Sequence, residues 1–154
     1  MAVVEIDRET GEITCLRYAA VHDGGRIIHP KLVEGSMYSG MAQGVGQALL
    51  EGMIGTPEGQ PLTGSLMDDA IPRAGVIRQV RLETMETPSS THPWGVKVIG
   101  ELPTVATPIA VANAVMDALT SGGVRHIDTP FTPEKIWRAL HSVRARQAPQ
   151  EGVW

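Results

Sequence analysis

Between Pro30 and Leu49 the apolar residues Val33, Met37, Met41, Val45 and Leu49 recur every fourth position, which predicts a helix of about five turns with one buried stripe. Its start is marked as well. Asp23-Gly24-Gly25-Arg26 has the composition of a tight turn, and Pro30 stands near the first helical position, where its missing N–H costs nothing. A second row, Ser36, Gly40 and Gly44, leaves an adjacent face of the same helix almost bare. Glycine inside a helix costs about 1 kcal/mol relative to alanine, so the fold must need that bareness. Tight packing on a sheet and close approach of a cofactor meet the need equally. Glu34, Gln43 and Gln47 make this helix too polar to span a bilayer.

The rest of the chain supplies what such a helix would pack on. Ala2 to Ile6 and Ile13 to Val21 are rich in β-branched and apolar residues, and the polar connector Asp7-Arg8-Glu9-Thr10-Gly11-Glu12 joins them as a hairpin. Glycines and prolines crowd residues 52–64, which reads as an exposed connector. A strand is expected from Val76 to Thr84, followed by an extended loop from Glu86 to Pro93. A second helix is expected with Thr107 as N-cap and Pro108 first, burying Ile109, Ala112, Val115 and Leu119 and ending at Gly122-Gly123. Val124 to Asp128 reads as a short strand, and Thr132 caps a third helix carrying Ile136, Trp137, Leu140 and Val143. The expectation is an α+β fold: an N-terminal β-hairpin, a long glycine-rich helix, further strands and two C-terminal helices. One domain covers residues 1–146, and 147–154 form a polar, mobile tail.

Composition narrows the function. A net charge of −4 and six aromatic residues offer no basic, aromatic-interleaved surface for nucleic acid. Cys15 is the only cysteine, so no internal disulfide and no cysteine-rich metal or iron–sulfur site can be built, in keeping with a cytoplasmic location. Within its expected strand Cys15 reads as a small buried hydrophobe. The N-terminal residues lack the pattern of a signal peptide, and no run approaches the roughly 20 apolar residues of a membrane span.

The stretch from Trp94 to Pro108 holds the leading chemical candidate. Glu101 directly follows Gly100, after a short apolar run and before a proline-bounded helix start, which places it on a loop between rigid elements. Gly100 lets the backbone approach a ligand, and Val98, Ile99 and Leu102 are expected to keep water from the acid, raise its pKa and make it a base. On chemistry alone, a solvated or helix-capping glutamate is the simpler account. Asp68-Asp69 lacks the further spaced oxygen ligands of a metal site and reads as a solvated turn. His29 reads as a helix-start residue rather than a ligand.

A family resemblance changes the weighting. Gly95-Val96-Lys97-Val98-Ile99-Gly100-Glu101, with Pro103-Thr104 and Thr107-Pro108-Ile109-Ala110-Val111-Ala112-Asn113-Ala114-Val115, resembles the C-terminal signature of the molybdenum hydroxylases. These are the xanthine dehydrogenases, aldehyde oxidoreductases and carbon monoxide dehydrogenases. Asp23-Gly24-Gly25-Arg26, His29-Pro30, Val33-Glu34-Gly35-Ser36 and Ala42-Gln43-Gly44-Val45-Gly46-Gln47-Ala48-Leu49 match a second family segment in the same order. The span Gly123 to Trp137 is similar to the end of carbon monoxide dehydrogenase-type large subunits.

The resemblance implies the C-terminal part of a molybdopterin-binding large subunit, with Glu101 as general base and Ser36, Gln43, Lys97, Val98, Ile99 and Gly100 toward the cofactor. It implies hydroxylation or oxidation of a small molecule at molybdenum, using oxygen from water. The cofactor would be molybdopterin in its cytosine dinucleotide form, shared with upstream segments, with 2Fe-2S clusters and FAD on partner subunits. The implied partners are the remaining molybdopterin-binding chain, an iron–sulfur subunit and a flavin subunit. Ser36 replaces the family's usual Gln, His29 its Asn, and Val98 a Gly. Serine keeps a hydroxyl but is shorter, so a bridging water would substitute for direct contact. The alternative from another class is a noncatalytic assembly module or truncated fragment of the same family. Either way, a fold accustomed to a larger subunit is expected to expose an apolar patch and to self-associate when isolated.

Overall fold

The computed structural model describes residues 1–147. The chain folds as α+β, with β1 (Ala2–Ile6), β2 (Ile13–Asp23), α1 (Pro30–Leu49), β3 (Val80–Met85), α2 (Leu102–Thr120) and α3 (Pro133–Gln147). Gln147, expected to open the tail, closes α3, and the rest of that expected tail, 148–154, lies outside the described residues. The sheet order is β1-β2-β3. β1 pairs antiparallel with the first part of β2, from Ile6 opposite Ile13 to Ala2 opposite Tyr18. β3 pairs parallel with the second part, from Tyr18 beside Val80 to Asp23 beside Met85. Parallel pairing requires a crossover, and α1 with the connector after it supplies one.

The hairpin turn is held by Asp7, whose carboxylate accepts from the N–H groups of Glu9 (2.8 Å) and Thr10 (3.2 Å). Gly11 closes it at φ +77°, and a Cβ there would lie 2.1 Å from the Pro133 carbonyl oxygen. Glycine at this position is thus what lets the hairpin rest on the start of α3.

Helix α1 begins as the sequence predicts. His29 caps it, its Nδ1 accepting from the Leu32 N–H at 3.2 Å, and Met37, Met41, Val45 and Leu49 are buried. The glycine row packs on α2 instead of on the sheet. A Cβ on Gly40 would lie 2.9 Å from Pro103, and one on Gly44 would lie 2.6 Å from Thr107 and 2.8 Å from Pro108.

Helix α2 differs from expectation at its start. It begins six residues before the expected first position, with Glu101 at the N-cap, Pro103 in the first turn and Pro108 inside the helix. Pro103 fits because the first N–H groups of a helix lack intrahelical partners in any case. Thr107, expected to cap, is fully buried instead. Its hydroxyl donates to the Pro103 carbonyl oxygen at 2.7 Å and lies 2.8 Å from the Tyr18 hydroxyl. Since the threonine proton is committed to Pro103, Tyr18 is the donor of the second bond. The buried row runs Pro103, Thr107, Val111, Val115, Leu119, whereas Ile109, expected inside, is 60% exposed. Thr107 seated on Gly44 sets this rotation.

The main core joins Val45, Ala48 and Leu49 of α1 to Val111, Val115 and Leu119 of α2 and to Ile136 and Leu140 of α3, with Val124 and Phe131 from the connection. Cys15, Tyr18 and Met41 form a second cluster, and burial pushes the Cys15 thiol above its ordinary pKa. The strand expected at Val124 to Asp128 is irregular chain. It pairs with neither sheet edge, and Val124 enters the core from a helix-ending turn in which its N–H donates to Leu119 O at 3.3 Å. β3 starts at Val80 rather than Val76, because Ile77 makes only an isolated bridge to Cys15. Contrary to expectation, α2 is long and apolar enough to cross a membrane by length and composition. Its buried row packs against α1, and 28% of its apolar window is buried.

The close approach gives a test by urea unfolding. Gly44→Ala should destabilise the chain by about 1–3 kcal/mol through overpacking. Gly35→Ala should stabilise it by up to ~1 kcal/mol, since its Cβ would meet nothing within 4 Å. Equal effects would show that the helix contact does not require Gly44.

Candidate functional site

The site is built on the end of β2. Asp23, the last residue of that strand, precedes Gly24-Gly25, and its carboxylate ties that turn to two distant segments. Oδ1 accepts from the Gly25 N–H at 2.9 Å and the Thr87 N–H at 3.1 Å. Oδ2 accepts from the Thr87 hydroxyl and from Lys97 Nζ at 2.6 Å, while Nζ also donates to Thr87 Oγ1 at 2.6 Å. The Lys97 ammonium beside it, then the Thr87 hydroxyl and the Gly25 and Thr87 amides, hold the Asp23 carboxyl well below the usual carboxylate range.

Backbone bonds tighten the same junction. Lys97 N–H donates to Gly24 O and Arg26 N–H to Gly95 O, each at 2.9 Å, so the loop of residues 95–97 runs as a bridge beside the turn. Gly25 takes φ +63°, and a Cβ there would lie 2.4 Å from the Gly95 oxygen. Ile99 continues the contact by packing its side chain over Gly24. Beyond it the loop leaves the protein surface: Val98 is 89% exposed, and Gly100 and Glu101 are exposed.

Glu101 therefore stands at the junction of an anchored loop and a rigid helix. Its carbonyl accepts from the Val105 N–H at 3.2 Å, but its carboxylate makes no capping bond to α2. The water exclusion expected from Val98, Ile99 and Leu102 is not supplied by this chain, because Val98 and Leu102 point outward and only Ile99 is half-buried.

The other predicted site residues fall around the same helix start. The first turn of α2 rests on Gly40 through Pro103 and Thr104. Ser36 and Gln43 lie four residues before and three after Gly40, so they flank that contact on the surface of α1. Ser36 is half-buried and Gln43 exposed. Lys97 is engaged by Asp23 and Thr87, which makes it an anchor of the loop. Asp68 accepts from the Ser65 hydroxyl at 2.6 Å and Asp69 from the Gly52 N–H at 3.3 Å, as turn acids do. Among the described residues, no three His, Cys, Asp or Glu side chains gather as a metal-binding group.

Asp23 and Thr87 were not singled out by sequence reasoning. Asp23 reads as an ordinary turn acid, and nothing local signals partners 64 and 74 residues away. The depressed Asp23 pKa has a definite sign. Its contribution to stability is present above the unfolded carboxylate value and is lost only as pH falls through the lower folded value. Asp23→Asn and Lys97→Met should each lower the thermal midpoint at neutral pH, and the double variant should lose less than their sum. Additive losses across that cycle would rule out the coupling.

The molybdopterin cofactor-binding domain model matches residues 1–78. The nicotine 6-hydroxylase large subunit of Paenarthrobacter nicotinovorans is 37% identical over 149 residues, 97% of this chain and 18% of that protein. The carbon monoxide dehydrogenase large chain of Hydrogenophaga pseudoflava is 35% identical over 91% of this chain and 17% of its own length. Quinoline 2-oxidoreductase from Pseudomonas putida 86 superimposes with a TM-score of 0.86 at 41% identity, covering 91% of this chain and 18% of that one. The chain thus spans less than a fifth of the relatives it matches. With the family model covering half its length, the chain belongs to the molybdopterin cofactor-binding domain family of the molybdenum hydroxylases.

Proposed function

We propose that this chain is the C-terminal part of the molybdopterin-binding large subunit of a molybdenum-dependent hydroxylase or dehydrogenase, whether as a split subunit or as a portion of a longer one. Glu101 is its general base. The observation that carries this reading is the placement of Glu101, whose carboxylate is uncommitted to its own helix and held at the end of a loop fixed by Asp23, Thr87 and Lys97.

The surrounding residues fit a bound pterin. Gly35 and Gly100 do not adopt positive φ, and a Cβ on either would meet nothing within 4 Å. Among the described residues no packing calls for glycine at those positions, whereas close approach of an external group accounts for both. The Ser36 hydroxyl, the Gln43 amide and backbone N–H groups of Val98, Ile99 and Gly100 are the donors that would hold it. When bound, molybdenum with its pterin supplies the redox chemistry. Glu101 accepts the proton released as oxygen from water is added to the substrate. Lys97 and Asp23 hold the loop so that the base need not be ordered at the moment of reaction.

Exclusion of water around Glu101 falls to the remaining segments of the subunit. In this reading the cofactor is the cytosine dinucleotide form, electrons pass to 2Fe-2S and FAD on partner subunits, and the assembly works in the cytoplasm on a small-molecule substrate. The exposure of Glu101 and Val98 favours a second reading, a noncatalytic assembly module. The experiment that separates the two is metal and pterin analysis of the complex purified from its source cells. Stoichiometric molybdenum is expected, together with a larger molybdopterin-binding chain. Glu101→Gln should retain both while turnover falls about 10²–10⁴-fold, the usual worth of a positioned base. A metal-free complex, or unchanged turnover in the variant, would leave the assembly module.

A further inference from the structure

Glu101 is held from both sides, and both ties lead to the same strand. Four residues before it, Lys97 is bound at 2.6 Å by Asp23, the last residue of β2. Six residues after it, the Thr107 hydroxyl lies 2.8 Å from the hydroxyl of Tyr18, in the middle of that strand. β2 is the central strand of the sheet, and Tyr18 is paired on both sides, with Ala2 of β1 and Val80 of β3. Tyr18 is 1% exposed and Thr107 fully buried, so neither hydroxyl has solvent to turn to.

The first turn of α2 has little of its own to order it. Glu101 gives the helix no side-chain cap. Pro108 has no N–H, so the Thr104 carbonyl lacks the donor that a helix normally provides four residues on. The bond from the Val105 N–H to the Glu101 carbonyl is at the long end of the ordinary range, 3.2 Å. What ties this turn to the sheet is a buried relay. The Tyr18 hydroxyl donates to Thr107 Oγ1, and the Thr107 hydroxyl donates at 2.7 Å to the carbonyl of Pro103, two residues past Glu101. In a buried setting each bond of such a chain polarises the next.

We propose that Tyr18 is a positioning residue for the base. Through Thr107 and the Pro103 carbonyl it sets where the first turn of α2, and Glu101 with it, stands relative to the loop that Asp23 anchors. The glycine contacts with α1 fix the rotation of α2, and the relay fixes its first turn against the sheet. One rigid strand thereby registers both flanks of the carboxylate, Asp23 the loop before it and Tyr18 the helix after it. This rests on the reading of Glu101 as general base.

The test uses the purified complex and two kinds of measurement. In hydrogen exchange, Tyr18→Phe should speed the Val105 amide about tenfold or more and leave the Leu119 amide, at the far end of α2, unchanged. In steady-state kinetics it should lower kcat about tenfold with KM unchanged, because a misplaced base is felt in the transition state and not in substrate binding. Added to Glu101→Gln, Tyr18→Phe should lower turnover no further, since its effect passes through the carboxylate. Thr107→Val keeps the Cβ that meets Gly44 and loses the hydroxyl, so its Val105 exchange should be as fast as that of Tyr18→Phe. Thr107→Ser keeps both and should exchange as the parent does, so this pair carries the test even where Tyr18→Phe fails to assemble. Unchanged kcat or unchanged Val105 exchange in Tyr18→Phe overturns the positioning role alone. So does an equal loss of turnover with and without Glu101→Gln, or Val105 exchange no faster in Thr107→Val than in Thr107→Ser. Turnover unaffected by Glu101→Gln overturns the general-base reading and this proposal with it.

Discussion

The contact on which the rest of the structure depends is the approach of α2 to the bare side of α1. Two glycines there cost about 2 kcal/mol in helix propensity together, so the packing they permit must offset that. The packing is specific in kind: Pro103 and Thr104 lie on Gly40, Thr107 and Pro108 on Gly44. Interiors at crystal-like density transmit such constraints, because a helix seated at two points cannot turn about its axis without clashing. The rotation of α2 then decides which residues are inside and where its first turn, with Glu101 at the cap, comes to rest. A glycine row in one helix therefore fixes the position of an acid 57 residues away from Gly44, through sterics alone.

The loop before that helix is fixed by different physics. Asp23 ends the central strand, so its backbone is as rigid as the sheet, and its carboxylate satisfies four donors from three segments. A partly exposed ion pair contributes little by itself. The network of Asp23, Thr87 and Lys97 differs because each group is also ordered by its neighbours, and the backbone bonds between Gly24 and Lys97 share the load. The loop is thereby held by its first half, at residues 95–99, while its second half is left projecting. Such an arrangement presents a carboxylate in a defined place without burying it.

How much of this was legible in the sequence follows from what kind of signal each part leaves. The stripe from Val33 to Leu49 and the hairpin are periodic, and periodicity survives being read one residue at a time. The start of α2 was misplaced because two prolines, Pro103 and Pro108, both suit a first turn, and Thr107 looks like a cap. Only the partner surface distinguishes them: Thr107 is wanted inside, where Tyr18 and the Pro103 carbonyl use both its hydrogen-bonding roles. Val124 to Asp128 has strand composition but pairs with no strand among the described residues, and β propensity without a neighbour is only a tendency. The loop position of Glu101 is legible from the glycine before it and the helix start after it. The hub of Asp23 and Thr87 is not, since a long-range hydrogen-bond network has no local pattern.

The described residues also differ in how fully their apolar surface is covered. Around α3 and the hairpin turn, the main chain meets its partners and the core closes over Ile136 and Leu140. Toward the end of β2, the exposed apolar residues Val21 and Leu102 lie beside the helix start that carries Glu101. On the proposed reading Glu101 is a base, and an exposed carboxylate on a fixed loop leaves room for a cofactor to approach it. The anchoring by Asp23 and Lys97 then serves position rather than burial, which reconciles a rigid site with an accessible one.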